Sequence, residues 1–145
     1  MGFERFELAD RGDVMRLVNV FYDRVQADEL LGPIFNEVAH VDWATHLPLM
    51  YDFWDSVLFS VGTFHGNPLL VHRALARLTP LTGREFDRWL MLFHQTIDDC
   101  FVGAMADHAK ESASRIAATL QQHLGIGHAA VIGSRTLMSF SGEDR

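Results

Sequence analysis

The chain has 145 residues, enough for one compact domain that buries about 70% of the surface its unfolded form would expose. Lys and Arg number 12 against 19 Asp and Glu, a net charge of −7, which argues against nucleic acid and against an anionic membrane as partners. A single cysteine, Cys100, excludes an internal disulfide and fits a reducing cytoplasm, and no run approaches the roughly 18 apolar residues of a bilayer span.

From 13 to 26 the apolar residues Val14, Leu17, Val18, Phe21, Tyr22 and Val25 recur at helical spacing, with Asp10 or Asp13 as N-cap. Gly32 and Pro33 are expected to stop this helix. Asp42 opens a second one, whose inner face gathers Trp43, His46, Met50, Phe53, Trp54 and Val57 and which ends near Ser60. Pro48 lies close to its first turns, where proline disrupts least. The segment 62–67 reads as loop, after which Asn67 and Pro68 form a cap and first-turn pair for a short helix to about Leu78, terminated by Pro80.

Thr82 and Glu85 have capping-box spacing and start a long helix with Phe86, Trp89, Leu90, Phe93, Ile97 and Phe101 on one stripe, ended by Gly103. A last helix, from about Ala106 to His123, turns Ala109, Ala113, Ile116, Ala117, Leu120 and Leu124 inward. No window alternates like a strand, so the fold class is all-α. Residues 126–145 are richer in Gly and Ser, lack periodicity and read as a flexible tail, leaving 1–125 as a single domain.

Among 8 histidines, His46 and His72 stand out because each lies on a helix beside large apolar residues. A buried imidazole needs partners for its nitrogens. Zinc is a weak account, since neither has a second His or Cys at ligand spacing, whereas haem needs only one axial histidine. The 11 Phe, 3 Trp and 2 Tyr either pack on themselves or wrap something flat and apolar. On the residues alone two readings stay open: a haem protein, or a haem-free helical domain that recognises a partner or an apolar small molecule.

The strings FYDRV at 21–25, PIF at 33–35, HLPLMYDFW at 46–54, HGNPLLVHRAL at 65–75 and FDRWLMLF at 86–93 follow one another in an order that resembles the truncated haemoglobins, most closely their third group. The resemblance covers about residues 8 to 124, and the paired-glycine signatures of the other truncated groups are absent. It implies a truncated globin fold, a two-over-two helical sandwich around haem b. It also implies that His72 is the proximal iron ligand and that Tyr22, His46 and Trp89 surround the bound ligand. Phe35 would wedge against the haem ring, and Met50, Phe53 and Trp54 would be pocket and haem contacts. Leu49 stands where relatives often carry a basic residue for a haem propionate, and Arg73 is the substitute.

The function implied is binding of dioxygen, nitric oxide, carbon monoxide or peroxide at histidine-ligated iron. With several hydrogen-bond donors around the ligand, oxygen release is expected to be slow, which suits holding or reacting with oxygen better than rapid carriage. Turnover of the nitric oxide dioxygenase or peroxidase kind would need a separate reductase, because the chain has no flavin or nicotinamide motif.

Overall fold

Among the described residues, four of the five α-helices begin where a short polar side chain satisfies free N–H groups, and the fifth starts at a glycine. The computed structural model describes residues 4–62 and 64–126. At the first helix Asp10, not Asp13, is the cap: the Asp10 carboxylate accepts from Asp13 N–H at 3.0 Å, and the Asp13 carboxylate accepts in return from Asp10 N–H at 3.2 Å. This capping box opens α1 (Arg11–Ala27). Asp42 opens α2 (Trp43–Phe59), which continues through Pro48; Asn67 opens α3 (Pro68–Leu78) with Pro68 in its first turn; and Thr82 with Glu85 opens α4 (Gly83–Cys100).

The segment after α1 differs from expectation. The helix ends at Ala27, before Gly32, and the chain folds back over its own last turn. A Cβ at residue 32 would lie 2.6 Å from the Gln26 carbonyl oxygen, so the turn requires glycine. A π-helix (Ile34–Val38) follows. Gly103 likewise does not end α4. Phe101–Val102 form a short strand (β2) paired in parallel with Phe6–Glu7 (β1), and Gly103, with φ 102° and ψ −178°, occupies a backbone region essentially confined to glycine as it starts α5 (Ala104–Leu124).

The architecture is two helix pairs, α1 with α2 and α4 with α5, joined mainly where α1 meets α4. Their shared core includes Leu17, Val18, Phe21, Trp54, Phe93, Ile97 and the thiol of Cys100. A smaller cluster of Phe86, Ala117, Leu120 and Ile126 packs with Leu69 of α3, and α3 touches chiefly α5. Ile126 therefore belongs to the packed domain rather than to a tail. Its N–H bonds to the Gln121 carbonyl, closing α5 behind Gly125. The expected tail over 127–145 lies outside the described residues.

One buried charge fixes the α1 exit to α4. The Asp28 carboxylate accepts from the N–H groups of Leu30 and Leu31 and from Arg88 through Nε at 2.8 Å and Nη2 at 2.6 Å. Burial by itself raises the Asp28 carboxyl, but the bonds from Arg88, Leu31 and Leu30 outweigh it, so the native value lies below the ordinary one. A depressed native value means stabilisation that is present above the unfolded pKa, about 4, and is lost as pH falls through the native one. Asp28→Asn is expected to lower stability by about 1–2 kcal/mol at pH 7, allowing for the partly exposed Arg88, with the difference from wild type shrinking below pH 4. Urea unfolding at both pH values checks this, and a difference that does not change with pH would contradict it.

Candidate functional site

The residues expected around a ligand come from three helices that meet at one end of the core. Tyr22, from the middle of α1, is 4% exposed, and its ring contacts Phe35, Trp43 and His46 at centroid distances of 5.9, 5.6 and 5.5 Å. Burial pushes its hydroxyl well above the ordinary tyrosine range, and the indole of Trp89, hydrogen-bonding to the same oxygen, offsets part of this. Tyr22 is thus a neutral hydroxyl able to donate throughout the physiological range. Trp89, on α4, stacks on Phe93 at 5.5 Å with 9° between the planes and meets Phe21 edge-on. Two N–H and O–H groups from separate helices thereby converge.

His46 supplies the third. It lies one turn into α2, set edge-on against Tyr22 and against Trp43, the latter at 5.5 Å. Its Nε2 is buried and has no hydrogen-bond partner among the described residues. Burial lowers its pKa, so at neutral pH the ring is an uncharged imidazole among aromatics. A buried nitrogen left without a partner costs on the order of 1–3 kcal/mol unless something polar meets it.

On α3, His72 is half-buried between Leu69 and Leu75, with the Phe86 ring 6.2 Å away. Its Nδ1 lies 2.7 Å from the Pro68 carbonyl oxygen. A carbonyl only accepts, so Nδ1 carries the proton and Nε2 keeps its lone pair, the tautomer an iron ligand requires. Helix α3 is strongly one-sided in sequence, yet among the described residues none of its side chains is fully buried.

The remaining candidates divide. Phe35, on the π-helix, belongs to the aromatic wall around Tyr22 and His46. Met50 and Phe53 are half-buried along α2, Phe53 touching Phe64 at 5.1 Å. Trp54 is different: it is 1% exposed and stacked 4.7 Å from Phe93, which places it in the core between helix pairs instead of on the wall. Leu49 is 41% exposed, and Arg73 is half-buried beside His72. The shallow depressions on the outer sides of α4 and α5, lined by residues such as Met91, His94 and Lys110, contain none of these groups.

Two contributors escaped sequence reasoning. In sequence Trp43 is one residue of an inner face, but in the fold it stacks on Phe35 and stands edge-on to His46, with its indole N–H donating to Asn36 of the π-helix at 3.2 Å. Its position three residues before His46, on the same helical face, was the available signal. Phe64 lies in a loop and had none.

Among the described residues these groups fit a flat, apolar iron-bearing cofactor: the His72 imidazole with its Nδ1 held by a carbonyl, the buried, unpartnered nitrogen of His46 beside Tyr22, and the incompletely covered helix α3. No family model matches the chain. It is 29% identical over 123 residues to a group 3 truncated haemoglobin of Campylobacter jejuni, the alignment covering 83% of this chain and 94% of the relative. A crystal structure of a group III truncated haemoglobin from the same organism superposes with a TM-score of 0.71 at 30% identity, over 81% of this chain and 93% of that one. The chain belongs to the group 3 truncated haemoglobins.

A truncated haemoglobin is a haem-binding globin, and globins bind diatomic gases, so membership sets aside the haem-free reading. The all-α fold expected from the sequence holds, and among the described residues no helix is long and apolar enough to cross a membrane.

Proposed function

We propose that this truncated haemoglobin holds haem b with His72 as its protein ligand to iron, and that it retains dioxygen through donors from Tyr22, Trp89 and His46. When bound, haem supplies an iron with one position open to a diatomic molecule. The observation that carries the reading is the buried Nε2 of His46, unpartnered among the described residues, beside a Tyr22 whose hydroxyl meets the Trp89 indole.

His72 is aimed by its own helix. Asn67 caps α3, Pro68 fixes the first turn, and the Pro68 carbonyl orients the ring through Nδ1, leaving Nε2 directed away from the backbone. Phe35, Met50 and Phe53 supply apolar contacts that exclude water from the ring's surface, and Arg73 serves a propionate that Leu49 cannot meet. Trp54 acts indirectly, by seating Phe53 at 5.3 Å.

The Tyr22 hydroxyl would present its hydrogen to the polar end of a diatomic ligand, and the Trp89 indole, whose one N–H meets the Tyr22 oxygen, would share that hydrogen with the ligand, each worth about 1 kcal/mol and more when the ligand carries negative charge. His46, kept neutral by burial, presents one further nitrogen. Three donors favour retention, so oxygen leaves slowly. The same donors suit nitric oxide or peroxide chemistry of the dioxygenase or peroxidase kind, with a separate reductase as the electron source.

Absorption spectra of the purified protein, oxidised, reduced and reduced under carbon monoxide, test the reading. A Soret band with the reduced spectrum of histidine-ligated iron is expected; a protein that takes up no haem in a titration contradicts it.

A further inference from the structure

The charge of this chain is unevenly placed. From Ser56 to Arg84 there is no Asp or Glu, while Arg73, Arg77 and Arg84 all fall within that stretch of a molecule whose net charge is −7. The stretch comprises the end of α2, all of α3 and the first residues of α4. On α3 the apolar residues Leu70, Val71 and Leu78 are 59%, 63% and 69% exposed, the three most exposed large hydrophobic residues among those described. A helix turns by about 100° per residue, so Leu70 and Arg77 lie opposite His72, and Val71 and Leu78 flank them. Their exposure therefore belongs to the outer face of α3 and not to the haem side. Arg84, 74% exposed and 3.7 Å from the Glu85 carboxylate, which is largely covered, extends the arginine rim onto α4.

Isolated exposed hydrophobics are ordinary, but three on one eleven-residue helix, bordered by arginines, have the make-up of an interaction surface. We propose that this outer face of α3 docks an acidic protein carrying a one-electron redox centre of the flavin class, which reduces the haem iron from the His72 side. The proposal rests on His72 being the iron ligand. An acidic partner is repelled by the rest of the molecule and attracted here, so its approach is oriented before contact. Docking on the helix that carries the iron ligand leaves about one helix diameter, roughly 10 Å, between the partner's surface and that ligand. In the step itself one electron leaves the partner's reduced flavin, which is oxidised by one electron, and ferric iron becomes ferrous. No bond is made or broken in this chain.

The test uses the haem-loaded protein and a flavodoxin, an acidic one-electron flavoprotein, as probe. Amide shifts of the labelled, carbon monoxide-bound ferrous protein on adding oxidised flavodoxin are expected to cluster on α3 and the start of α4 and to fade in high salt. Reduction of the ferric protein by reduced flavodoxin is expected to slow about tenfold or more with Arg77→Glu/Arg84→Glu, while Arg115→Glu, beside His94 and Lys110, changes it less than about twofold. Shifts elsewhere or none, a rate indifferent to salt, or equal effects of the two charge reversals would overturn the proposal. So would α3 shifts that grow with the protein's own concentration, which would mean a second copy, or contacts from residues 127–145 to Leu70 or Leu78. A footprint on α3 together with an unchanged iron spectrum in His72→Ala would instead overturn the ligand assignment alone.

Discussion

Replacing His72 with alanine is expected to remove nearly all tightly held haem. In the proposed reading the bond to iron would depend on an Nε2 lone pair held in place by the 2.7 Å contact between Nδ1 and the Pro68 carbonyl. Outer-shell contacts of that kind alone account for about 10–100-fold in metal affinity, so loss of the ligand itself is expected to exceed about a hundredfold. Haem titration followed by the reduced spectrum measures the loss, and imidazole added to the buffer is expected to restore a histidine-like spectrum by filling the vacated space. If His72→Ala kept the normal reduced spectrum while His46→Ala abolished it, the two sides of the pocket would be exchanged.

Tyr22→Phe and Trp89→Phe are each expected to speed oxygen dissociation about tenfold or more. Each removes one donor to a ligand that draws electron density from iron, a loss of about 1.5–3 kcal/mol when the acceptor is charged, and every 1.4 kcal/mol is a factor of ten. Carbon monoxide is a poorer acceptor in the same space, so its dissociation should change far less, and this contrast separates a polar effect from a change in volume. The Tyr22 hydroxyl and the Trp89 indole also bond each other, so the double variant need not equal the sum of the singles. Stopped-flow dissociation rates decide the matter. Equal acceleration for both gases, or none for either, would make Tyr22 and Trp89 packing residues.

The helices were legible because their starts are chemically marked. Asp10, Asp42, Asn67 with Pro68, and Thr82 with Glu85 each announce a helix by a side chain that satisfies its first N–H groups, and each stands at the start of one. Helix α5, whose start has no capping side chain, was legible by its apolar stripe alone, and what had neither mark nor stripe went unread. The π-helix spans five residues, too few for a periodic signal, and β1 and β2 pair over two residues each. Gly103 signalled a stop by composition, yet its backbone angles make it a start.

The pocket divides in the same way. Tyr22, His46 and Trp89 could be placed together only through a resemblance, since they lie on three helices whose packing no local pattern encodes. The nitrogen of His46 left without a partner, the carbonyl that fixes His72 and the role of Trp43 are facts of three-dimensional arrangement. Trp54 shows the converse: an inward-facing position in sequence does not distinguish the wall of a pocket from the middle of a core.

Helix α3 has no fully buried residue, while the four helices around it share a continuous core. Local opening is easiest where few apolar contacts must be broken, so in the haem-free chain α3 forms the least protected cooperative unit, with amide hydrogens that exchange first. With His72 as the iron ligand, as proposed, the residence time of the cofactor is expected to follow how often this single helix lifts away while α1, α2, α4 and α5 stay packed. Retention of haem and global unfolding thereby become separate properties, and substitutions on α3 can alter the first without disturbing the second.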